Sequence, residues 1–257
     1  MDTAAVLELM QETAEEVINP RFRALADTDV ETKSHASDFV TVADKEAEVM
    51  LTERLRAANP DAVVVGEEAI FAQPELREKL NNADHAFIID PIDGTANFVR
   101  GKDEHGIIIA ETRAGITTRG WIWQPQTGRA YVAERGAGVR MNDEVIIPDR
   151  PDRLPQGATS KDALQGFDGG GRLSPTVHTK FACCFDYPAA LHGEYDFIYY
   201  TNIMPWDHLA GALMLTENGG VSRTMDGLAY TVLSRSKGLI VANDVLVWMT
   251  AQQNWRL

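Results

Sequence analysis

The sequence has few of the features that mark secreted or membrane-spanning proteins. It contains only two cysteines, and these are neighbours at positions 183 and 184. Adjacent Cα atoms lie about 3.8 Å apart, below the usual disulfide range of about 4.4–6.8 Å. A disulfide framework is therefore excluded, and we expect a cytoplasmic protein. No apolar stretch approaches the roughly 18 residues of a membrane span, and residues 1–5 lack the basic and apolar segments of a secretory signal.

Positive charge is also scarce. The 257 residues include 24 Lys and Arg against 38 Asp and Glu, which gives a formal net charge of −14. A surface of this sign repels phosphate backbones and anionic lipid headgroups. We therefore expect neither a nucleic-acid partner nor a membrane partner. The 44% hydrophobic content is ordinary for a globular protein with a buried core.

The spacing of apolar residues predicts a chain in which helices and strands alternate. A first helix is predicted to end at Pro20, and a second opens on a capping box at Thr41–Asp44. Further helices are predicted to begin at Trp206 and at Asn243. Short β-branched or alternating runs predict strands over residues 62–65, 86–89, 105–112, 116–123, 129–134, 197–200 and 239–241. Without a strict βαβα rhythm, this order favours a layered α/β fold.

The most informative segment is DPIDGTANF at residues 90–98. An apolar strand delivers Asp90 at its end, Pro91 is expected to end the strand pairing, and Asp93 begins a turn with glycine. Two carboxylates are thereby brought close together, which requires a proton or a cation between them. The alternative is an Asx turn that closes a surface loop, the usual meaning of Asp-Gly alone.

Three further acids are candidate ligands beside this pair. Glu67 follows the predicted strand over 62–65, Asp207 lies just inside a helix, and Asp44 belongs to the capping box. Taken alone, they suggest a solvated loop residue, an N-cap and a capping acid. Asp44 could also hydrogen-bond Thr95 or a water on a metal. All the donors are oxygens and no Cys or His pair has metal-ligand spacing, which favours Mg²⁺ or Mn²⁺ over Zn²⁺.

A polar, proline-dense segment lies between the early acids and the last one. It contains Pro148, Pro151 and Pro155 and is the best candidate for a domain boundary. We expect an N-terminal α+β domain over 1–148 with most of the candidate ligands. A C-terminal α/β domain over 149–257 would supply the remaining acid and the substrate pocket.

Three motifs in this order resemble the signatures of the inositol monophosphatase family, in the wider group of Mg²⁺-dependent, lithium-sensitive phosphatases. They are Gly66-Glu67-Glu68, Asp90-Pro91-Ile92-Asp93-Gly94-Thr95-x-Asn97-Phe98 and Trp206-Asp207-x-x-Ala210-Gly211. The similarity covers essentially the whole chain. It implies a two-domain layered αβαβα sandwich, usually a homodimer, with the site between the halves. It also implies a phosphoric monoester hydrolase that uses two or three Mg²⁺ ions.

The resemblance assigns the metal ligands. Glu67, Asp90 and the Ile92 carbonyl would bind one Mg²⁺, while Asp90, Asp93 and Asp207 would bind a second. Asp93 and Asp207 would also contact the substrate. Because a phosphate dianion cannot approach a group of carboxylates, cations are needed to reverse the local charge.

The remaining roles concern water and substrate. By the resemblance, Glu67 and Thr95 would orient the attacking water, Asp44 would lie behind Thr95, and the amides of Gly94 and Thr95 would hold phosphate oxygens. Inositol-phosphate enzymes of this family tend to carry a glutamate seven positions before the last metal-binding aspartate. Here that position is Tyr200, which becomes a candidate substrate contact.

Substrate specificity is left open by these motifs. The small Gly-Ser or Gly-Thr turn that the family places upstream is replaced by residues 181–184, FACC, and with Tyr200 this argues against inositol monophosphate. Residues 97–101, NFVRG, resemble the histidinol-phosphate phosphatase branch. We therefore expect a small phosphorylated polyol, sugar or amino alcohol, with histidinol phosphate and fructose 1,6-bisphosphate as alternatives.

Two other readings place the protein in different classes. Phosphatases of the haloacid dehalogenase type use Asp-x-Asp-x-Thr, whereas two residues separate Asp90 from Asp93. A regulatory protein on a phosphatase fold is the non-enzymatic alternative, since fold alone does not establish function.

Overall fold

The computed structural model describes residues 1–33, 39–148 and 152–255, so Pro151 of the proposed boundary lies outside the described residues. The helices in these ranges are α1 (Thr3–Thr13), α2 (Val42–Ala58), α3 (Glu67–Ala72), α4 (Leu76–Asn81), α5 (Thr95–Val99), α6 (Cys183–Leu191), α7 (Pro205–Glu217) and α8 (Val245–Asn254). None of them combines the length and the apolar character that crossing a membrane requires.

The strands form two main sheets and one short pair. Their bounds are β1 (Val30–Thr32), β2 (Phe39–Thr41), β3 (Val63–Gly66), β4 (His85–Asp93), β5 (Gly106–Arg113), β6 (Ile116–Gln124), β7 (Arg129–Glu134), β8 (Gly138–Met141), β9 (Glu144–Val145), β10 (Gln156–Thr159), β11 (Ser174–Val177), β12 (Phe197–Tyr200), β13 (Val221–Thr224) and β14 (Leu239–Ala242). The seven-stranded sheet runs β3-β4-β5-β6-β7-β8-β9, the five-stranded sheet runs β11-β10-β12-β14-β13, and β1 pairs with β2.

Alternation along the strands assigns each sheet face to a helical layer. In β4, Phe87 and Ile89 belong to the core shared with α1 and α2, whereas Ile88 belongs to the core shared with α6 and α7. In β12, Ile198 faces α6 and α7, and Phe197 shares a core with Trp248 of α8. Successive strand residues point to opposite faces, so each sheet is covered on both sides. The predicted αβαβα layering is therefore confirmed.

The first helix keeps its predicted extent but changes its geometry. The α-helical part ends at Thr13, a π-helical turn spans Ala14–Ile18, and a 3₁₀ turn spans Asn19–Arg21. Val17 and Ile18 remain buried through the change. Pro20 lies in the last turn, as expected for a residue that cannot continue a helix.

The expectation that Pro91 ends its strand was wrong. β4 continues to Asp93, pairing Asp90 with Ile108 and Asp93 with Gly106, with a register irregularity between these pairs. Proline can be accommodated at such an irregularity because the ladder there does not require its missing N–H. The extra length carries both aspartates on one continuous strand.

Some elements lie outside the sequence predictions. The strands β8 to β11 and helix α6 were not predicted, and Glu67 and Glu68 open helix α3 instead of lying in a loop. Helix α6 contains Pro188, and nearly all its residues are buried. A helix buried on all sides shows no polar and apolar period, so spacing cannot reveal it.

The two helices of the middle layer approach each other closely at Gly211. A Cβ atom added at Gly211 of α7 would lie 2.2 Å from Cγ of Tyr187 in α6. Glycine is therefore required at this crossing because any side chain would displace the tyrosine ring. The contact brings α6 next to the start of α7, where Asp207 lies.

Replacing Gly211 by alanine should destabilise the fold. We expect Gly211→Ala to lower the free energy of unfolding by about 1–3 kcal/mol, because the added methyl group overpacks the middle layer. Urea denaturation would measure the change. Glu53→Ala, at an exposed position of α2, should stay within about 0.5 kcal/mol of the unmodified chain. Equal stability of the two variants would contradict the close packing.

Candidate metal centre

Three aspartates converge where β4 ends and α7 begins. Asp90 and Asp93 lie on β4, and Asp207 is in the first turn of α7. One carboxylate oxygen from each lies within 4.8 Å of the others. The residues come from sequence segments that are more than a hundred positions apart. The convergence therefore depends on the packing of the middle layer against the seven-stranded sheet.

Burial makes this cluster unfavourable without a cation. Burial, reinforced by the negative charge of Glu67, raises the pKa of Asp90 and of Asp207 well above the usual value. Burial also raises the pKa of Asp93 to about 6. Oδ1 of Asp90 is buried and finds no hydrogen-bond partner among the described residues. Closely spaced oxygen donors with an unpaired oxygen fit a hard divalent cation such as Mg²⁺.

A main-chain amide fixes one of the three carboxylates. The N–H of Cys184 donates to Oδ2 of Asp93 at 2.7 Å, which counteracts part of the burial effect. Nearby, Nδ2 of Asn97 donates to the carbonyls of Glu104 at 2.8 Å and Lys180 at 3.0 Å. These bonds tie the segment before α6 to the turn after β4. Sequence spacing had assigned the cysteines no role, and no local motif signals this contact.

Glu67 faces a buried lysine that sequence analysis missed. Nζ of Lys33 lies 2.8 Å from Oε1 of Glu67 and 2.6 Å from Oε1 of Glu68. The lysine side chain is only 4% exposed. The two glutamates outweigh the burial and raise the pKa of Lys33, so its ammonium stays charged. Glu67 therefore lies outside the three-aspartate group but close enough to affect its charge.

Helix α3, which carries Glu67, is held by a buried acid of α2. The carboxylate of Glu48 accepts the N–H of Glu68 at 2.7 Å and that of Ala69 at 2.8 Å. Burial raises the pKa of Glu48 to about 7. The Glu48 carboxylate caps the first turn of α3, and it thereby positions Glu67, the first residue of this helix.

Asp44 lies where the capping box predicted and also reaches Thr95. Its Oδ2 accepts the N–H of Thr41 at 2.8 Å, and its Oδ1 lies 3.1 Å from the Thr95 hydroxyl. The same hydroxyl lies 2.9 Å from the Ile92 carbonyl. Burial raises the pKa of Asp44 to about 6. The structure therefore brings the predicted catalytic pair Asp44 and Thr95 together beside a predicted carbonyl ligand.

Gly94 makes the turn between the metal-site strand and α5. Its φ is +80°, and an added Cβ would lie 2.8 Å from the Glu104 carbonyl oxygen. Only glycine fits both conditions. The amides of Gly94 and Thr95 remain the predicted phosphate contacts.

Tyr200 lies deeper than a substrate contact would be expected to lie. Its ring centroid is 4.4 Å from that of His208, the residue after Asp207. Its hydroxyl is buried without a partner among the described residues. His208 is in turn held by the Tyr187 hydroxyl at 3.1 Å and the Asn202 carbonyl at 2.9 Å. The role of Tyr200 in substrate binding stays a prediction.

Comparison with known proteins gives a consistent set of relatives. Residues 2–256 match the inositol monophosphatase family. A fructose-1,6-bisphosphatase/inositol-1-monophosphatase of Thermotoga maritima is 30% identical over 233 residues, which cover 84% of this chain and 87% of that protein. A Nus factor SuhB of Pseudomonas aeruginosa is 29% identical over 244 residues, covering 87% and 85%.

Solved structures of this kind share the fold. An IMPase of Thermotoga maritima superposes with a TM-score of 0.79 at 25% identity and covers 98% of each chain. An IMPase/NADP phosphatase, described as complexed with Mg²⁺ and phosphate, has a TM-score of 0.78 at 23% identity and covers 98% and 95%. The α/β architecture is therefore that of the IMPase structures.

Neutralising one aspartate should stabilise the protein when metal is absent. The raised pKa of Asp90 means that the folded state binds a proton more tightly than the unfolded chain. The ionised Asp90 therefore lowers the free energy of unfolding as the pH rises above about 4, where this carboxyl ionises in the unfolded chain. In EDTA at pH 8, we expect Asp90→Asn to unfold at a higher temperature, by about 1 kcal/mol or more of stability, and the gain should vanish near pH 4.

Calorimetry with and without Mg²⁺ tests this expectation. Mg²⁺ should raise the melting temperature of the unmodified protein but not that of Asp90→Asn. The exposed Asp61→Asn should behave as the unmodified protein. A variant that is less stable than the parent in EDTA at pH 8 would contradict the electrostatic account.

Removing the buried lysine should make the protein more dependent on metal. Lys33→Gln leaves Glu67 and Glu68 without their ammonium partner, so we expect a loss of about 1.5–3 kcal/mol in EDTA. Mg²⁺ should raise its melting temperature more than that of the parent. Lys45→Gln is the control, because its ion pair with Glu31 is exposed and should contribute little. Equal Mg²⁺ effects in both variants would refute a charge role for Lys33.

Proposed function

The chain belongs to the inositol monophosphatase family, and we propose that it is a Mg²⁺-dependent phosphomonoesterase. Its substrate would be a small phosphorylated polyol, sugar or amino alcohol. The observation that carries the proposal is the convergence of Asp90, Asp93 and Asp207, with one buried oxygen that has no partner in the described part of the chain. Such a cluster repels a phosphate dianion unless divalent cations are present. It therefore suits an enzyme that recruits cations and phosphate together.

Five residues would hold the cations. Glu67, Asp90 and the Ile92 carbonyl would bind one Mg²⁺, and Asp90, Asp93 and Asp207 a second, with a third, weaker ion near Asp44; Mn²⁺ could take the same positions. When bound, these ions would supply the positive charge that admits the phosphate and stabilises the attacking and leaving oxygens. Glu67 would have to exchange its contact with the lysine for this role.

The protein's own groups would orient the attacking water. The Thr95 hydroxyl can donate a hydrogen bond to Asp44 Oδ1, 3.1 Å away, and its oxygen can then accept a hydrogen bond from the attacking water. Glu67 would accept a hydrogen bond from the other O–H group of this water. Because the Thr41 amide holds Asp44 in place, the threonine keeps one orientation. No covalent phosphoenzyme is needed in this scheme.

The residue at the predicted substrate contact, Tyr200, argues against inositol monophosphate as the substrate. Tyr200 occupies the position where related enzymes tend to carry a glutamate. Its hydroxyl cannot replace a carboxylate that accepts hydrogen bonds from the hydroxyl groups of the inositol ring. Whatever the alcohol part, the amides of Gly94 and Thr95 would hold phosphate oxygens, and Asp93 and Asp207 would contact the substrate through the cations that they bind. Histidinol phosphate and fructose 1,6-bisphosphate remain the specific alternatives.

A non-enzymatic regulatory role is the second candidate. Relatives of this chain include a protein named Nus factor SuhB at 29% identity. The candidate metal ligands are all present here, which favours catalysis over a purely regulatory protein. A homodimer, a cytoplasmic location and a division into domains over 1–148 and 149–257 belong to the same proposal.

Neutralising Asp93 tests the enzymatic proposal. We expect Asp93→Asn to lower kcat at least about 100-fold, because charge stabilisation through a metal contributes several kcal/mol. Turnover would be measured with Mg²⁺ on histidinol phosphate, fructose 1,6-bisphosphate and inositol phosphates. The exposed Asp61→Asn should retain full activity. Near-normal turnover by Asp93→Asn would refute the assignment, and no turnover by the unmodified protein on any ester would favour the regulatory candidate.

A further inference from the structure

Arg77 is a half-buried cation that has no acidic partner among the residues that the structure describes. It lies on α4, and its Nε is buried with no hydrogen-bond partner among the described residues. Its NH1 lies 3.9 Å from the Met204 sulfur, which is a weak acceptor. Within the described part of the chain, no carboxylate lies within 4.0 Å of its guanidinium. This is unusual in a chain with a net charge of −14.

Other partly buried arginines in the protein are paired. Among the described residues, Arg21 contacts Glu46 and Arg119 contacts Glu111. Since an unpaired buried charge is costly, the missing partner at Arg77 requires an explanation. A guanidinium with free donors is the group that proteins use to bind carboxylate or phosphate in a two-pronged contact.

A second arginine adds to the positive charge at this position. Burial, followed by the charge of Arg235, lowers the pKa of Arg77. Arg235 is held by the carbonyls of Val232 and Ser234 and by Oδ1 of Asn81, all of them neutral groups. The two guanidiniums therefore repel each other, and an anion between or beside them would relieve the repulsion.

Arg77 contacts the segment that leads into the metal centre. Met204, which Arg77 contacts, is the N-cap residue of α7, and Asp207 follows it by three positions. Tyr230 connects the same places, since its hydroxyl donates to the Ile203 carbonyl at 2.8 Å. The charges of both Asp207 and Arg77 act on the Tyr230 phenol. Arg77 thus lies beside the site on the side where α7 begins.

We propose that Arg77, supported by Arg235, forms a subsite for a second anionic group on the substrate. This inference rests on the proposed phosphomonoesterase function and narrows its substrate class. The metal centre takes the phosphate that is cleaved, and Arg77 binds a carboxylate or a second phosphate on the alcohol part. The favoured substrates are phosphorylated sugar acids or bisphosphates, and neutral polyol phosphates bind less tightly.

The test compares matched ligands that differ by one anionic group. One pair is 3-phosphoglycerate and glycerol 3-phosphate, which isolates a carboxylate; the other is fructose 1,6-bisphosphate and fructose 1-phosphate, which isolates a phosphate. Binding is measured by calorimetry with Ca²⁺ in place of Mg²⁺, and kcat/KM is measured with Mg²⁺. The variants are Arg77→Gln, Arg77→Lys and, as a control, Arg172→Gln, whose exposed guanidinium donates to Oδ1 of Asn254 at 3.0 Å.

We expect Arg77→Gln to weaken binding of the member with the second anionic group, in at least one pair, about 10- to 100-fold. Binding of the member that lacks this group should change less than about twofold, and Arg77→Lys should recover part of the loss. The pair that responds identifies the preferred group. Arg172→Gln should match the unmodified protein for all four ligands.

Two results would overturn the subsite. One is an unmodified protein that binds the members of each pair equally well, and the other is an Arg77→Gln variant that loses affinity for both members alike, which indicates a structural role. The proposed function fails separately: if the unmodified protein hydrolyses none of the esters yet binds the anionic ones through Arg77, the subsite stands and the catalytic proposal is rejected.

Discussion

Mutual repulsion among buried carboxylates is the constraint on which the rest of the structure depends. Asp90, Asp93 and Asp207 are brought within a few ångströms of one another by two sheets and a shared helical layer. Each of these ionised carboxylates would be more stable apart from the others or in water, so the folded state carries an electrostatic cost that a bound proton or, near neutral pH, a cation relieves. A protein that maintains such a cost at one place has a site for cations there. The fold therefore creates a site whose charge favours a cation.

The surroundings of the cluster limit this cost without removing it. The Cys184 amide holds Asp93, the Thr41 amide holds Asp44, and Glu48 holds the start of the helix that carries Glu67. Lys33 supplies a positive charge, a buried ammonium, beside Glu67. These contacts hold Asp93, Asp44 and the start of the helix that carries Glu67 in place. The protein thus determines where the carboxylates lie, and a bound cation would supply the positive charge that neutralises them.

The parts of this arrangement that depend on local motifs could be predicted from sequence. The parts that depend on contacts between distant residues could not. Thr41 and Asp44 were predicted because a capping box is local, and the DPIDGTANF segment signalled its acids through strand, proline and glycine spacing. The family resemblance placed Glu67 and Asp207 with them. Lys33, Glu48 and the Cys184 amide were missed because each acts through a contact distant in sequence. Pro91 misled the prediction because a register irregularity, which only the sheet reveals, accommodates it.

The two neighbouring cysteines have a practical consequence of their own. Both thiols are buried at the start of α6, and burial raises their pKa, so they are neither exposed nor ionised in the closed protein. An alkylating reagent reaches buried thiols when the structure around the start of α6 opens. Because the amide of Cys184 also holds Asp93, the labelling rate of these thiols reports how often the aspartate loses its support. The chain thus contains its own chemical reporter of opening at the centre of the molecule.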